Sequence, residues 1–263
     1  RLIQICRERG RPFHVIAIEG HADPEVIGDS PQTWLRLGAA QKALEVARKE
    51  KLDEIVMVGP VRRPSIVALR PDVLAARVLA KAGASSVMGD DGLLKAIIRQ
   101  IEDFGFKVIG PHELLQDGVN SEGTLGRCEP DNIALQDIRR GCSILTALGP
   151  TDVGQSIVIQ DNIVIAIEAV EGTDAMIQRS GPLHREGPGG VLVKLPKPGQ
   201  EKRADLPTIG PQTVENADKA GIRGIAIHAS DTLFVDREQT IALADSLGLF
   251  IFSFDPDKWL ESA

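Results

Sequence analysis

Short apolar runs alternate with amphipathic stretches along this chain, and each pattern predicts a kind of element. Leu2, Ile3 and Cys6 fall on one helical face and Gly10 follows as a stop, so residues 1–9 read as a helix. The run HVIAIE at 14–19 reads as a strand. Amphipathic spacing then predicts a helix at 39–49, and the apolar run 55–58 a strand that ends at Gly59-Pro60. Residues 73–82 form an apolar helical stretch, and Gly89-Asp90-Asp91-Gly92 leads into a strong helical pattern at 93–104, followed by a strand at 106–109. Strand and helix alternate, which argues for a doubly wound, Rossmann-like α/β domain with a parallel sheet. In such sheets ligands sit beyond the carboxyl ends of strands, where Arg62, Arg63, Asp90 and Asp91 fall in this reading.

Residues 118–130 are polar and carry glycine, and they read as a boundary between a domain at 1–123 and a second at 124–263. The second half begins with a long helical pattern at 131–148. Two apolar runs, 157–159 and 163–167, flank Gln160-Asp161-Asn162 as a hairpin. Thr173 reads as the N-cap of a short helix at 174–179. Further strands are expected at 191–195, 224–227, 233–235 and 249–252, with helices at 211–220 and 237–247. The second domain is therefore also mixed α/β.

Composition narrows the function classes. The 263 residues are 43% hydrophobic and 25% charged, ordinary for a globular protein. A net charge of −7, only 3% aromatic residues and no Tyr argue against a nucleic-acid partner. Cys6, Cys128 and Cys142 lack zinc or redox spacing, which suits a reducing compartment. No apolar run approaches the roughly 18–20 residues of a membrane span, and the sequence shows no signal peptide.

Candidate chemistry concentrates in residues 168–210. Glu168, Glu171 and Asp174 precede a Gly/Pro loop, Lys194 and Lys197 follow it, and Asp205 comes next in RADLPTIG. Carboxylates hold a hard cation such as Mg²⁺, and lysines meet phosphate charge, so this stretch suits metal-assisted chemistry at a phosphate. A solvated, charged connection explains the same residues without function. Asp205 also fits a turn or cap position, and Thr208 fits either a phosphate donor or a helix cap. Arg63, held extended before Pro64, fits a diphosphate ligand or a solvated loop cation; Asp90 and Asp91 fit helix caps as well as ligands.

Taken together, EGTDAM at 171–176, K-x-PKP-x-Q at 194–200, DLPTIG at 205–210 and the later VDRE and LGLF resemble the UDP-2,3-diacylglucosamine pyrophosphatases of the LpxI type. RRP…PD and GDDGLL fit the N-terminal part of that family. The resemblance covers essentially the whole chain and implies two domains and hydrolysis of an acylated UDP-sugar, in lipid A synthesis, to UMP and a diacylglucosamine 1-phosphate. It implies a divalent cation, Mg²⁺ or Mn²⁺, and it makes Asp205 the key carboxylate. On this basis Asp205, Asp174 and Lys194 are the expected catalytic residues, and Asp205, Asp174 and Glu171 the expected metal ligands. Arg63, Thr173, Lys197, Thr208, Asp90 and Asp91 are expected to bind substrate. The acyl chains imply a cytoplasmic protein peripheral to the inner membrane; a homodimer stays open. Relative to the family pattern the chain opens within the first helix, so a strand and glycine-rich turn are expected ahead of it, and Pro60 stands where a polar residue is common. The rival readings are a non-catalytic nucleotide-sugar binding protein, a general nucleotide-sugar pyrophosphatase and a dehydrogenase-like enzyme.

Overall fold

The structure is a computed structural model that describes residues 1–59, 61, 69–82, 90–115 and 120–261, with the backbone alone at 81, 82, 90, 91 and 261. The chain divides into two compact units, Arg1–Gln116 with Glu201–Ala204, and Asp117–Gln200 with Asp205–Ala263.

The first unit is built of short parallel strand pairs and helices. After helix α1 (Leu2–Glu8), strand β1 (Val15–Ile18) pairs parallel with β2 (Gln32–Leu35) through a crossover containing the one-turn helix α2 (Pro24–Ile27). Asp23 caps α2 by accepting from the Glu25 amide at 2.9 Å. Helix α3 (Ala40–Lys49) follows, and β3 (Glu54–Ile55) pairs parallel with β4 (Lys107–Val108) across helices α4 (Val73–Ala82) and α5 (Asp90–Asp103). Asp72 ties two helix starts together, accepting from Gln41 N in α3 and Ala75 N in α4, each at 2.8 Å. The strand expected at 55–58 is shorter than its apolar run, since only Glu54 and Ile55 pair. Asp90 and Asp91 stand in the first turn of α5 rather than ahead of it, and their side chains lie outside the described residues, as does all of Arg63. Helix α6 (Pro111–Leu115) closes the unit's main segment.

The second unit is a three-layer sandwich on a six-stranded mixed sheet. Its strands are β5 (Gly123–Thr124), β6 (Ser156–Gln160), β7 (Ile163–Ile167), β8 (Gly190–Lys194), β10 (Ile222–His228) and β12 (Phe250–Phe254), in the order β5-β12-β10-β8-β6-β7. β8, β10 and β12 run parallel; β6 lies antiparallel to β8, β7 to β6 and β5 to β12. A separate pair, β9 (Thr208–Ile209) with β11 (Leu233–Phe234), carries the end of the DLPTIG segment.

Alternation along the strands sends side chains into two cores. Ile157, Ile159, Val191, Val193 and Ala226 face helix α7 (Asn132–Leu148), packing with Ile138, Cys142 and Leu145. Val158, Leu192, Ile225 and Ile227 face the other way. There they meet Met176 and Ile177 of α8 (Thr173–Ser180), Val214 and Ala217 of α9 (Pro211–Lys219) and Ala244 of α10 (Arg237–Leu247). Covered on both faces, β6 and β8 are buried at every position, and their middles are the apolar runs IVI and VLV. Gly141 lets α7 approach the sheet: a Cβ there would meet Val193 Cγ2 at 2.7 Å and Ile157 Cγ2 at 3.2 Å. A final helix, α11 (Pro256–Glu261), brings Trp259 against Phe252 and Phe254.

The β6–β7 turn is a true two-residue hairpin loop. Asp161 and Asn162 have φ of 52° and 62°, the left-handed pair that matches strand twist. Their amides donate to Asp137 of α7, at 3.2 Å and 2.7 Å. Burial pushes the Asp137 carboxyl up from its ordinary value.

Candidate active site

The site grows from the end of β8. Parallel β8, β10 and β12 all finish at one edge of the sheet, with Lys194 in register with Ile227 of β10. Ser156 at the start of antiparallel β6 lies opposite Lys194, and Glu168 follows directly on β7 at the same edge. Carboxyl ends of parallel strands are where an α/β sheet leaves room for a ligand.

Lys194 is 5% exposed, although it carries an ammonium group. Burial holds its pKa below the ordinary lysine value; the negative charges of Glu168, Asp174 and Asp205 oppose that shift. Its Nζ donates to Thr173 Oγ1 at 2.7 Å. Thr173 in turn donates to Glu168 Oε1 at 3.1 Å and lies 3.2 Å from Ser156 Oγ. Glu168 is buried too, and its second oxygen accepts from the Gln155 amide at 3.4 Å. A buried lysine whose pKa is lowered by burial, among three carboxylates at a strand edge, is the kind of arrangement that singles out a candidate functional site.

Local sequence explains the arrangement. Gly172 has φ of 82°, a backbone that other residues rarely adopt, and it stands at the N-cap of α8. The turn therefore starts α8 one residue earlier than expected: Thr173 is the first helical residue, not the cap, and its hydroxyl is turned to the Lys194–Glu168 pair. Asp174, in the first turn, accepts from Asn216 Nδ2 of α9 at 3.1 Å through Oδ1. Asp205 is held through Oδ2 by Gln200 Nε2. Gln200 is buried, and its Oε1 accepts from Lys197 N at 2.8 Å, so one amide ties the PKPGQ loop to the aspartate.

The remaining expected residues are placed differently. Glu171 is bonded to Arg179 at 2.6 Å, and that guanidinium holds its carboxyl below the usual range. Lys197 Nζ pairs with Asp152, so its charge is balanced locally. Thr208 donates to Leu206 O at 3.1 Å within the loop, while Gly210 occupies the N-cap of α9. Sequence reasoning missed Gln155, Gln200 and Asn216, which bond Glu168, Asp205 and Asp174, and Ser156, whose hydroxyl meets that of Thr173. It also left His228 as a packed strand residue; at the end of β10 its Nδ1 accepts from the amides of Ser230 and Asp231, at 3.1 Å and 3.2 Å.

The N-terminal domain model of the LpxI family matches residues 1–118, and its C-terminal domain model matches residues 121–252. The chain belongs to the LpxI family. Among relatives of this LpxI chain is the UDP-2,3-diacylglucosamine pyrophosphatase LpxI of Caulobacter vibrioides. The two are 38% identical over 259 residues, which span 96% of this chain and 92% of that protein.

The donor set can be tested against a divalent cation. Both oxygens of Glu168 are already bonded, and Glu171 is taken by Arg179. Asp174 and Asp205 each have one oxygen held by a side-chain amide, a pattern that orients a carboxylate without neutralising it. Among the described residues no group of three or more His, Cys, Asp and Glu gathers as an all-protein cage. Mg²⁺ is usually bound by one or two carboxylates plus substrate phosphates and water, and Asp174 and Asp205, both acting on Lys194, are donors of that kind.

Proposed function

We propose that this LpxI protein hydrolyses the diphosphate of UDP-2,3-diacylglucosamine, giving UMP and 2,3-diacylglucosamine 1-phosphate, with Mg²⁺ or Mn²⁺ as cofactor. The observation that carries the proposal is Lys194: a buried ammonium among Glu168, Asp174 and Asp205 in a member of this family. The name of the C. vibrioides relative supports the substrate.

Charge balance supports the cation. One ammonium against three carboxylates leaves the site net negative, and a diphosphate adds more negative charge. Like charges brought together in a partly dry site repel strongly. When bound, the cation would offset that charge on the diphosphate oxygens and lower the pKa of a coordinated water. Asp174 and Asp205 would hold it. Lys194 donates to a phosphate oxygen and stabilises the charge that builds there as the P–O bond breaks. Asp205, oriented by Gln200, holds and aligns the attacking water.

The substrate's acyl chains support a protein that works at the inner-membrane surface from the cytoplasmic side. Among the described residues no helix is long and apolar enough to cross a membrane. Val170, fully exposed between Glu168 and Glu171, offers an apolar contact beside the site. The test is hydrolysis by the pure protein, with UMP release followed with and without Mg²⁺; absence of UMP with the metal present would reject the proposal.

A further inference from the structure

We propose that Glu168 and Thr173 are positioning residues that hold the Lys194 ammonium at the strand edge through a one-way hydrogen-bond chain. This rests on the reading that Lys194 meets the diphosphate. The direction of the chain is dictated by its ends. An ammonium can only donate, and a carboxylate can only accept. The hydroxyl between them has one proton, so it must accept from Lys194 Nζ at 2.7 Å and give its own proton to Glu168 Oε1 at 3.1 Å. Ser156 Oγ, 3.2 Å away, then donates to the second lone pair of Thr173 Oγ1. Thr173 has no further proton to offer a ligand, which argues against the substrate-donor role expected of it.

The surroundings make the chain rigid. Glu168 is clamped on both sides: its other oxygen takes the Gln155 amide, and its own amide donates to Ser156 O at 2.9 Å. Gly172 fixes the backbone that aims Thr173. Lys194 extends from a strand buried along its whole length, so its stem has little freedom. A lysine normally carries a mobile, strongly hydrated charge. Here the chain replaces that hydration and fixes the direction of the charge, leaving the other ammonium protons for a phosphate. Asp174 and Asp205 are the other charged groups acting on Lys194 and supply attraction without occupying that bond.

The test uses Thr173→Val, which keeps the shape and deletes the hydroxyl, Thr173→Ser, which restores it, and Glu168→Gln. On UDP-2,3-diacylglucosamine with Mg²⁺, Thr173→Val and Glu168→Gln should lower kcat about tenfold or more with little change in KM, and Thr173→Ser should stay close to wild type. A second readout needs no turnover. In protein labelled with ¹⁵N at lysine Nζ, the Lys194 ammonium, assigned by its loss in Lys194→Ala, should exchange slowly in wild type and Thr173→Ser. It should exchange rapidly in Thr173→Val and Glu168→Gln. Unchanged exchange in both of those variants overturns the proposal. So does a raised KM at constant kcat in Thr173→Val, which would make Thr173 a substrate ligand. If the ammonium behaves as expected but wild type releases no UMP, the positioning stands and the reading of the reaction fails.

Discussion

At the scale of single residues, the proposed chemistry turns on Lys194. Lys194→Met keeps the length of the side chain and removes its charge, leaving three carboxylates unopposed. We expect kcat/KM to fall by about 10²–10³, the range for losing one preorganised electrostatic donor. The pH profile should carry the same signature. Burial lowers the Lys194 pKa, so the cation is lost, and activity with it, at a pH below the ordinary lysine value of 10.5. That alkaline limb should be missing from the residual activity of Lys194→Met; a limb in the same place in both proteins assigns it to another group. Asp205→Asn removes charge and leaves shape, and should reduce kcat by at least about 100-fold while circular dichroism stays native. Near-normal kcat in the folded variant would make Asp205 a turn residue only. The cluster of Glu168, Glu171, Asp174, Lys194, Lys197 and Asp205 stood out in the sequence because charged residues on glycine and proline turns are visible without coordinates, while the choice of Asp205, Asp174 and Lys194 among them came from the family resemblance. Which of Glu168 and Glu171 meets the lysine was not legible, because it depends on the positive φ of Gly172 and on Arg179 capturing Glu171. Gln200 and Asn216 carry no charge and no spacing signal; only the folded loop shows that they hold the two aspartates.

At the scale of elements, the apolar runs of β6, β8 and β10 and the Asp161-Asn162 turn were readable because period and turn chemistry are local. The two-residue strands β5 and β9 were not. β5, with Gly123 and Thr124, lies inside a stretch that reads as a polar connection, and it exists because β12 offers an open edge. β9, with Thr208 and Ile209, has no pattern of its own either; it forms by pairing with β11, whose apolar residues do read as a strand at 233–235. Gly141 tests the packing of α7 on the sheet. Alanine there gains helix propensity of about 1 kcal/mol, but its Cβ would press on Val193 and Ile157 at 2.7 Å and 3.2 Å. Overpacking of this kind costs about 1–3 kcal/mol. Gly141→Ala should therefore lower Tm by a few degrees in a thermal melt. A raised Tm would show that α7 has room to move away from the sheet.

For the molecule as a whole, charge and lipid set the expectations. The net charge of −7 argues against a broad polyanion surface, so the proposed recognition of a diphosphate calls for a local cationic group and a bound cation. Excess chelator should abolish turnover, and Mg²⁺ or Mn²⁺ should restore it; full activity in chelator would remove the cation from the mechanism. Acyl chains offer roughly 0.8 kcal/mol per buried CH₂, so a few methylenes outweigh a single polar contact. The most direct measurement is therefore a paired assay of UMP release by the purified protein with Mg²⁺, on UDP-2,3-diacylglucosamine and on UDP-N-acetylglucosamine. The account predicts UMP and 2,3-diacylglucosamine 1-phosphate in equal amounts from the acylated substrate and little from the other. No UMP from the acylated substrate, or equally efficient cleavage of both, would contradict it.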